Sequence, residues 1–418
     1  MRLILRLLRI WALFYLFYFL CGLLYIYSFH RIRTPRDVLA MLATLRLPLL
    51  DDRCRTANAT HCVCLPNVFF IGASKGGTTS ITEYLSMHPR VHFVKRRIFP
   101  DKHREVHRFD RNTYGLALRG IDLLDEWASS PATRSPNDAV IHYTPHYLYA
   151  PSVPFDLAAF YPQPDKLKFV VILRDPVERA LSSYWFQNSH LFHDADGGSM
   201  ADFERLIKVE RGERDAYEKC MTARVRAEGV LGVLGSSSSL SGLASSLLGL
   251  LDPFLLLTTR APPLRSAHSH RPKSPLFDRL EECFGSLFRS SRLGGRHLDK
   301  GVYVDQLQRW FSQFPRENFF ITSTKRFYSG PGEYLRLLAF IGAEAEGAGA
   351  GGGGQQGGVQ TKILAALMSR NSSRARLVSP NALAFADPPS ARLLQSLQDF
   401  YRSHNERLRA FLGVDLFL

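Results

Sequence analysis

A chain of 418 residues with 45% hydrophobic and 12% aromatic content can bury one large core or two modest ones, which excludes an intrinsically disordered protein. A formal net charge of +15 and a pI near 9.7 favour anionic partners: a phosphorylated cofactor, an acidic polysaccharide, anionic lipid or nucleic acid. The cysteines are too few, and Cys62 and Cys64 too isolated from a second ligand pair, for a metal module; they suit disulfides in an oxidising compartment.

In chain order, Arg2, Arg6 and Arg9 precede an uncharged run from Ile10 to Phe29, long enough as a helix to cross a bilayer. No small-residue cleavage site follows in Tyr25–Phe29, so residues 10–29 read as a retained signal-anchor and 1–9 as a cytoplasmic tail. His30, Arg31, Arg33 and Arg36 nearly balance the arginines before the span. The tripeptides Asn58-Ala59-Thr60 and Asn371-Ser372-Ser373 have the form of glycosylation acceptors and, with the cysteines, favour a luminal bulk. Residues 30–65 read as a stem, and 66–418 as the folded domain.

Within that domain, strand-like runs at Val68–Gly72, Leu167–Leu173 and Asn318–Thr322 are each followed by a helix-like stretch, at Thr79–Met87, Pro176–Gln187 and Gly332–Ile341. Strands alternating with helices predict an α/β fold with a central parallel sheet. Residues 229–275, rich in Ser, Leu and Gly and then in Pro, Arg and His, read as a surface insertion that Cys220 and Cys283 flank and could close as a disulfide. Residues 343–358 read as a glycine-rich linker.

Two segments carry phosphate-binding chemistry. Phe69-Phe70-Ile71-Gly72-Ala73-Ser74-Lys75-Gly76-Gly77-Thr78-Thr79-Ser80 is a strand, a glycine-bearing loop with one lysine, and a hydroxyl-rich helix start. Glycines let the backbone approach an anion, the helix N-terminus presents N–H groups, and Lys75 adds a positive charge. The nucleotide triphosphatase loop has its lysine after the last glycine, followed by Ser or Thr; here Lys75 precedes the pair. The second segment, Leu173-Arg174-Asp175-Pro176 through Ser182-Ser183-Tyr184, puts Arg174 at a strand's carboxyl end and Ser182 two helical turns on, which suits a second phosphate.

Together the two segments resemble the PAPS-dependent sulfotransferases (PAPS, 3′-phosphoadenosine 5′-phosphosulfate). The likeness is strongest to the Golgi heparan sulfate 3-O-sulfotransferases and the N-sulfotransferase domains. The resemblance implies a P-loop-like sulfotransferase fold: an α/β domain with a central parallel sheet, flanking helices and a phosphate-binding loop, preceded by one N-terminal transmembrane helix. It implies Lys75, Gly76, Gly77, Thr78 and Thr79 at the 5′-phosphosulfate, and Arg174 and Ser182 at the 3′-phosphate. Glu105-Val106-His107-Arg108-Phe109-Asp110 resembles the family's Glu-Val-His-Phe-Phe-Asp segment, which makes Glu105 the expected catalytic base, its pKa raised modestly by burial, with His107 secondary. Thr144-Pro145 with Tyr147 resembles Glu-Lys-Thr-Pro-x-Tyr, with His142 and Tyr143 standing where the family has Glu and Lys. Gly301-Val302-Tyr303 with Leu307, Trp310 and Phe314 resembles a family helix, and Ser372–Arg376, containing Arg374, occupies the place of the loop that closes over the nucleotide.

The function so implied is sulfuryl transfer from PAPS to a hydroxyl or amine of an anionic polysaccharide or glycoprotein glycan, without a metal and without nucleic acid as partner. The implied setting is the Golgi membrane, single-pass type II, with the catalytic domain luminal. A membrane-tethered kinase or triphosphatase is the other enzyme class, and a non-catalytic luminal glycan-binding protein the alternative outside enzymes.

Overall fold

A computed structural model of the protein describes residues 53–94, 105–110, 130–191, 199–234, 283, 296–343 and 388–417. The expected tail and anchor (1–29), the Gly-rich linker beyond Ala343, and Arg374 with its loop lie outside these residues. Among the described residues no helix is long and apolar enough to cross a membrane.

The centre is a five-stranded sheet in the order β4-β6-β3-β7-β8, made of β3 (Val68–Gly72), β4 (Val91–Phe93), β6 (Ala139–Tyr143), β7 (Lys168–Leu173) and β8 (Phe319–Ser323). Every neighbouring pair is parallel, as the strand–helix alternation predicts. β3 and β6 are buried at every residue, and β7 at all but its first. That is why they read as near-continuous apolar runs: helices cover both faces.

Side-chain alternation assigns the two faces. Phe69, Ile71, Phe169, Val171 and Leu173 pack with α2 (Val153–Phe160), α3 (Pro176–Leu191), α5 (Tyr303–Phe311) and α8 (Ala391–Leu412), around Trp310. Phe70, Val170, Ile172 and Ile141 pack with α1 (Thr78–Leu85), α6 (Thr324–Tyr328) and α7 (Gly332–Ile341). Burying each large side chain contributes about 1.5–3 kcal/mol. α4 (Met200–Leu234) adds Met200, Phe203 and Ile207 to the first of these clusters.

The segment read as stem ends inside the fold. β1 (Cys54–Asn58), β2 (His61–Cys64) and β5 (Ala132–Thr133) form an antiparallel sheet, and a Cys54–Cys64 disulfide joins the first two strands. Cys62, the buried free cysteine, places its Sγ 3.6 Å from that of Cys64. The expected Cys220–Cys283 disulfide is formed. The insertion expected from Gly229 begins within α4, which continues to Leu234; its remainder lies outside the described residues.

Following the chain, β3 is succeeded by β6 and β4 on one side and by β7 and β8 on the other. The order therefore reverses at the carboxyl end of β3, the place where open parallel sheets bind ligands.

Candidate active site

The loop after β3 is built to keep backbone close to backbone. A Cβ on Gly76 would lie 2.5 Å from the Ile172 carbonyl oxygen and 2.9 Å from that of Ala73, so only glycine fits. Gly77 caps α1 with φ 79° and no side chain caps the first turn, leaving the helix N-terminus to face an anion. From α6, Thr324 Oγ1 donates to the Gly76 carbonyl at 2.8 Å and the Tyr328 hydroxyl to that of Gly77 at 3.3 Å. Thr78 Oγ1 lies 3.0 Å from the Tyr143 hydroxyl, and Thr79 Oγ1 3.4 Å from it.

Lys75 has a left-handed backbone, φ 69°, and its ammonium rests 3.8 Å from the centre of the Phe186 ring. Burial first, then the charges of Arg174 and Arg179, lower its pKa to about 8, against a raising pull from Glu105. Arg174 and Glu105, which the sequence places in two other segments, thus both act on Lys75.

Arg174 follows β7. Its Nε donates to Glu178 at 3.0 Å, and its backbone carbonyl accepts from the Tyr303 hydroxyl at 2.9 Å. The terminal guanidinium nitrogens have no hydrogen-bond partner among the described residues. Ser182 is half-buried on α3, two turns further on.

The Thr-Pro-x-Tyr segment after β6 holds the residue 105–110 stretch in place. The Val106 N–H donates to the Tyr143 carbonyl at 3.0 Å and the His107 N–H to Thr144 Oγ1 at 3.0 Å. Arg108 and Phe109 N–H groups both donate to the Tyr147 hydroxyl, at 2.9 and 3.0 Å. Tyr147 keeps its own proton for His142 Nε2 at 2.8 Å. His142, in the family's Glu place, is therefore a buried support that stacks on Phe69.

So fixed, His107 bridges two carboxylates: Nε2 is 2.7 Å from Glu105 Oε2 and Nδ1 is 2.7 Å from Asp110 Oδ2. His146 Nδ1 reaches the same Asp110 oxygen at 3.0 Å. Burial alone would lower His107, but the bonds and charges of Asp110 and Glu105 outweigh it and lift its pKa to about 9. Asp110, 1% exposed at its side chain, is held far below the carboxylate range; the two imidazoles overcome burial.

Glu105 corrects an expectation. Burial does push it upward, but the His107 hydrogen bond and the charges of His107 and His146 outweigh that, so its pKa is lowered rather than raised. With 38% of the side chain exposed, water solvates the carboxylate as well.

Asp110 and His146 were not singled out from sequence, although each stands inside a segment that was. Thr324 and Tyr328 carried no local signal beyond following a strand end.

An open parallel sheet with a glycine loop, a lysine and a helix N-terminus at its switch point defines an α/β protein whose loop is suited to a phosphate-bearing ligand. Residues 65–231 match the family described as "Sulfotransferase domain", so that stretch, which holds both phosphate-binding segments, is a sulfotransferase domain. Over 294 residues the chain is 27% identical to membrane-associated sulfotransferase kil1 of Dictyostelium discoideum, covering 66% of this chain and 55% of the relative. It is 33% identical over 145 residues to the bifunctional heparan sulfate N-deacetylase/N-sulfotransferase 3 of Mus musculus, covering 34% of this chain and 16% of that protein. To the human heparan sulfate glucosamine 3-O-sulfotransferase 5 it is 34% identical over 122 residues, 29% of this chain and 30% of that one. The chain thus spans about half the length of the Dictyostelium relative and less of the others. A solved sulfotransferase from Alicyclobacillus acidocaldarius matches with TM-score 0.38 and 19% identity, covering 85% of this chain and 98% of its own; the fold assignment rests on the strand order and not on this likeness.

Proposed function

We propose that the chain transfers a sulfuryl group from PAPS to a hydroxyl or amine of a glycan, an anionic polysaccharide of the glycosaminoglycan kind. The observation that carries the proposal is the glycine loop at the switch point of the sheet, where Gly76 lies against the Ile172 carbonyl and Gly77 starts an uncapped helix. The groups present fit the donor: a loop whose glycine cannot bear a Cβ, an uncapped helix start, and an arginine whose terminal nitrogens have no hydrogen-bond partner among the described residues.

In this reading the loop N–H groups, Lys75, Thr78 and Thr79 hold the 5′-phosphosulfate, while Arg174 and Ser182 hold the 3′-phosphate. The acceptor oxygen or nitrogen attacks sulfur as the bond from sulfur to the phosphate oxygen breaks, and the acceptor proton passes to Glu105. Lys75 meets the charge that builds on the departing phosphate; one such preorganised donor contributes about 3–4 kcal/mol in other enzymes. His107 serves Glu105 rather than replacing it. Both its ring nitrogens face carboxylates, so the imidazolium has no free lone pair and instead holds Glu105 ionised and oriented. Asp110 and His146 fix His107 in turn.

The length of the uncharged run Ile10–Phe29 supports a single-pass anchor with the domain luminal in the Golgi, and the two disulfides fit an oxidising lumen. The test of the donor is the affinity of the full chain for 3′,5′-bisphosphoadenosine against ATP. Preference for the bisphosphate supports the proposal; preference for ATP turns the reading to a kinase or triphosphatase.

A further inference from the structure

Lys300 lies in the short 3-10 turn Asp299–Gly301 that leads into α5. It is 9% exposed, yet its ammonium has no hydrogen-bond or ion-pair partner among the described residues. Its Nζ is not one of the fully buried unpartnered atoms, so an otherwise enclosed side chain keeps its charged end open to a ligand.

The turn cannot swing. Asp299 Oδ2 accepts from the Tyr149 hydroxyl at 2.9 Å and Oδ1 from Arg214 at 2.8 Å. Gln306 Nε2 donates to the Lys300 carbonyl at 3.1 Å. A Cβ on Gly301 would sit 2.7 Å from the Tyr401 hydroxyl oxygen. Lys300 is therefore carried on a fixed piece of backbone, its ammonium 5.5 Å from the centre of the Tyr149 ring.

That ring leads to the catalytic cluster. Tyr149 meets the His146 ring edge-on at 5.8 Å, and His146 bonds Asp110, whose other oxygen is buried without a partner among the described residues. Lys300 acts electrostatically on both His146 and Asp110, while Lys75 acts on Glu105. The two lysines thus address opposite ends of the Glu105–His107–Asp110 chain.

The surroundings of Lys300 do not neutralise it. Burial, then Arg179 and Arg296, press its pKa down to about 8, against Glu210 and Asp110. Glu210 is engaged by three backbone N–H groups, and the bonded oxygen of Asp110 by two imidazoles. We propose that Lys300 is a specificity-determining residue: it reads an anionic group, a carboxylate or a sulfate, on the acceptor chain next to the atom that receives the sulfuryl group. This rests on the function proposed above and adds a residue to it.

The experiment measures binding, so it does not need turnover. The full chain, wild type, Lys300→Met and Lys300→Arg, is titrated with a sulfated hexosamine–uronate oligosaccharide and with its desulfated and carboxyl-reduced forms, in the presence of 3′,5′-bisphosphoadenosine. The expected result is about a tenfold loss for the intact ligand in Lys300→Met, the scale of one charge-assisted hydrogen bond. Lys300→Arg keeps most of the affinity, and on one stripped form the wild type and Lys300→Met bind alike, which names the anion. Equal losses on all three ligands in both variants assign Lys300 a structural role and overturn the proposal. So does an unchanged affinity in Lys300→Met, or no binding of any of the oligosaccharides by the wild type. If the wild type binds ATP in preference to the bisphosphate, the reading of the whole site fails instead.

Discussion

The hydroxyl of Tyr143, at the carboxyl end of β6, lies 3.0 Å from Oγ1 of Thr78 in the first turn of α1. Where the resembled family has a lysine, this chain has a tyrosine that ties the end of β6 to the helix start after the glycine loop. Tyr143→Phe removes that tie and costs about 1 kcal/mol in loop positioning. We expect the bisphosphate nucleotide to bind about fivefold more weakly, measured by titration. Unchanged affinity would show that Thr324 and Tyr328 set the loop alone.

The pH profile follows from three groups. Glu105 acts as a carboxylate and is held below its ordinary range, so activity persists well into the acid side. On the alkaline side Lys75 loses its proton near about 8 and His107 near about 9; each loss removes a positive charge that the reaction uses. The rate at saturating donor should therefore be level through neutrality and fall above about pH 8. A rise above that pH would contradict the assignment of Lys75 as a cation.

Stability carries the opposite signature from that of a paired carboxylate. The pKa of His107 is raised from 6.5 to about 9 on folding. Its contribution is fully present below the unfolded value and is lost as pH rises through about 9. In His107→Gln the fall of Tm between about pH 7 and 9 should be shallower than in the wild type; equal slopes would mean other groups account for it.

Much of the site could be read from the chain because its parts are local. Strand β3, the glycine loop and α1 form one continuous stretch, as do β7, Arg174 and α3, and apolar runs ending in Gly or Arg announce them. What could not be read is long-range: Thr324 reaching Gly76 across the sheet, or Tyr147 accepting from Arg108 and Phe109. The direction of the Glu105 shift is hidden for the same reason: sequence suggests burial, whereas the His107 partner that outweighs it is set by the fold.

Gly76→Ala tests the loop's close approach. Its Cβ would meet backbone oxygens on both β7 and the loop itself, neither of which can rotate away, so a loss of about 2 kcal/mol or more is expected. Denaturant unfolding of the variant checks it, and a stable variant that still binds nucleotide would show that the loop relaxes.

Cys283→Ser opens a disulfide that spans a sequence separation of 63 residues. Its removal should lower stability by about 2–4 kcal/mol and loosen α4 where Cys220 anchors it, read as a lower Tm with nucleotide affinity kept. A Tm equal to the wild type's would mean the bridge constrains nothing in the unfolded chain.

The central claim is sulfuryl transfer with Glu105 as base. Its most direct test incubates the full chain with sulfur-labelled PAPS and a panel of desulfated polysaccharides, beside Glu105→Gln and Lys75→Ala. Label is expected on one acceptor class. Glu105→Gln should lower the rate by about 10²–10⁴-fold and Lys75→Ala by about 10²-fold or more, with the fold intact in both. Transfer by Glu105→Gln at the wild-type rate would contradict the assignment of the base. A wild-type protein that binds the bisphosphate nucleotide but labels none of the acceptors would contradict the enzyme and leave a binding protein.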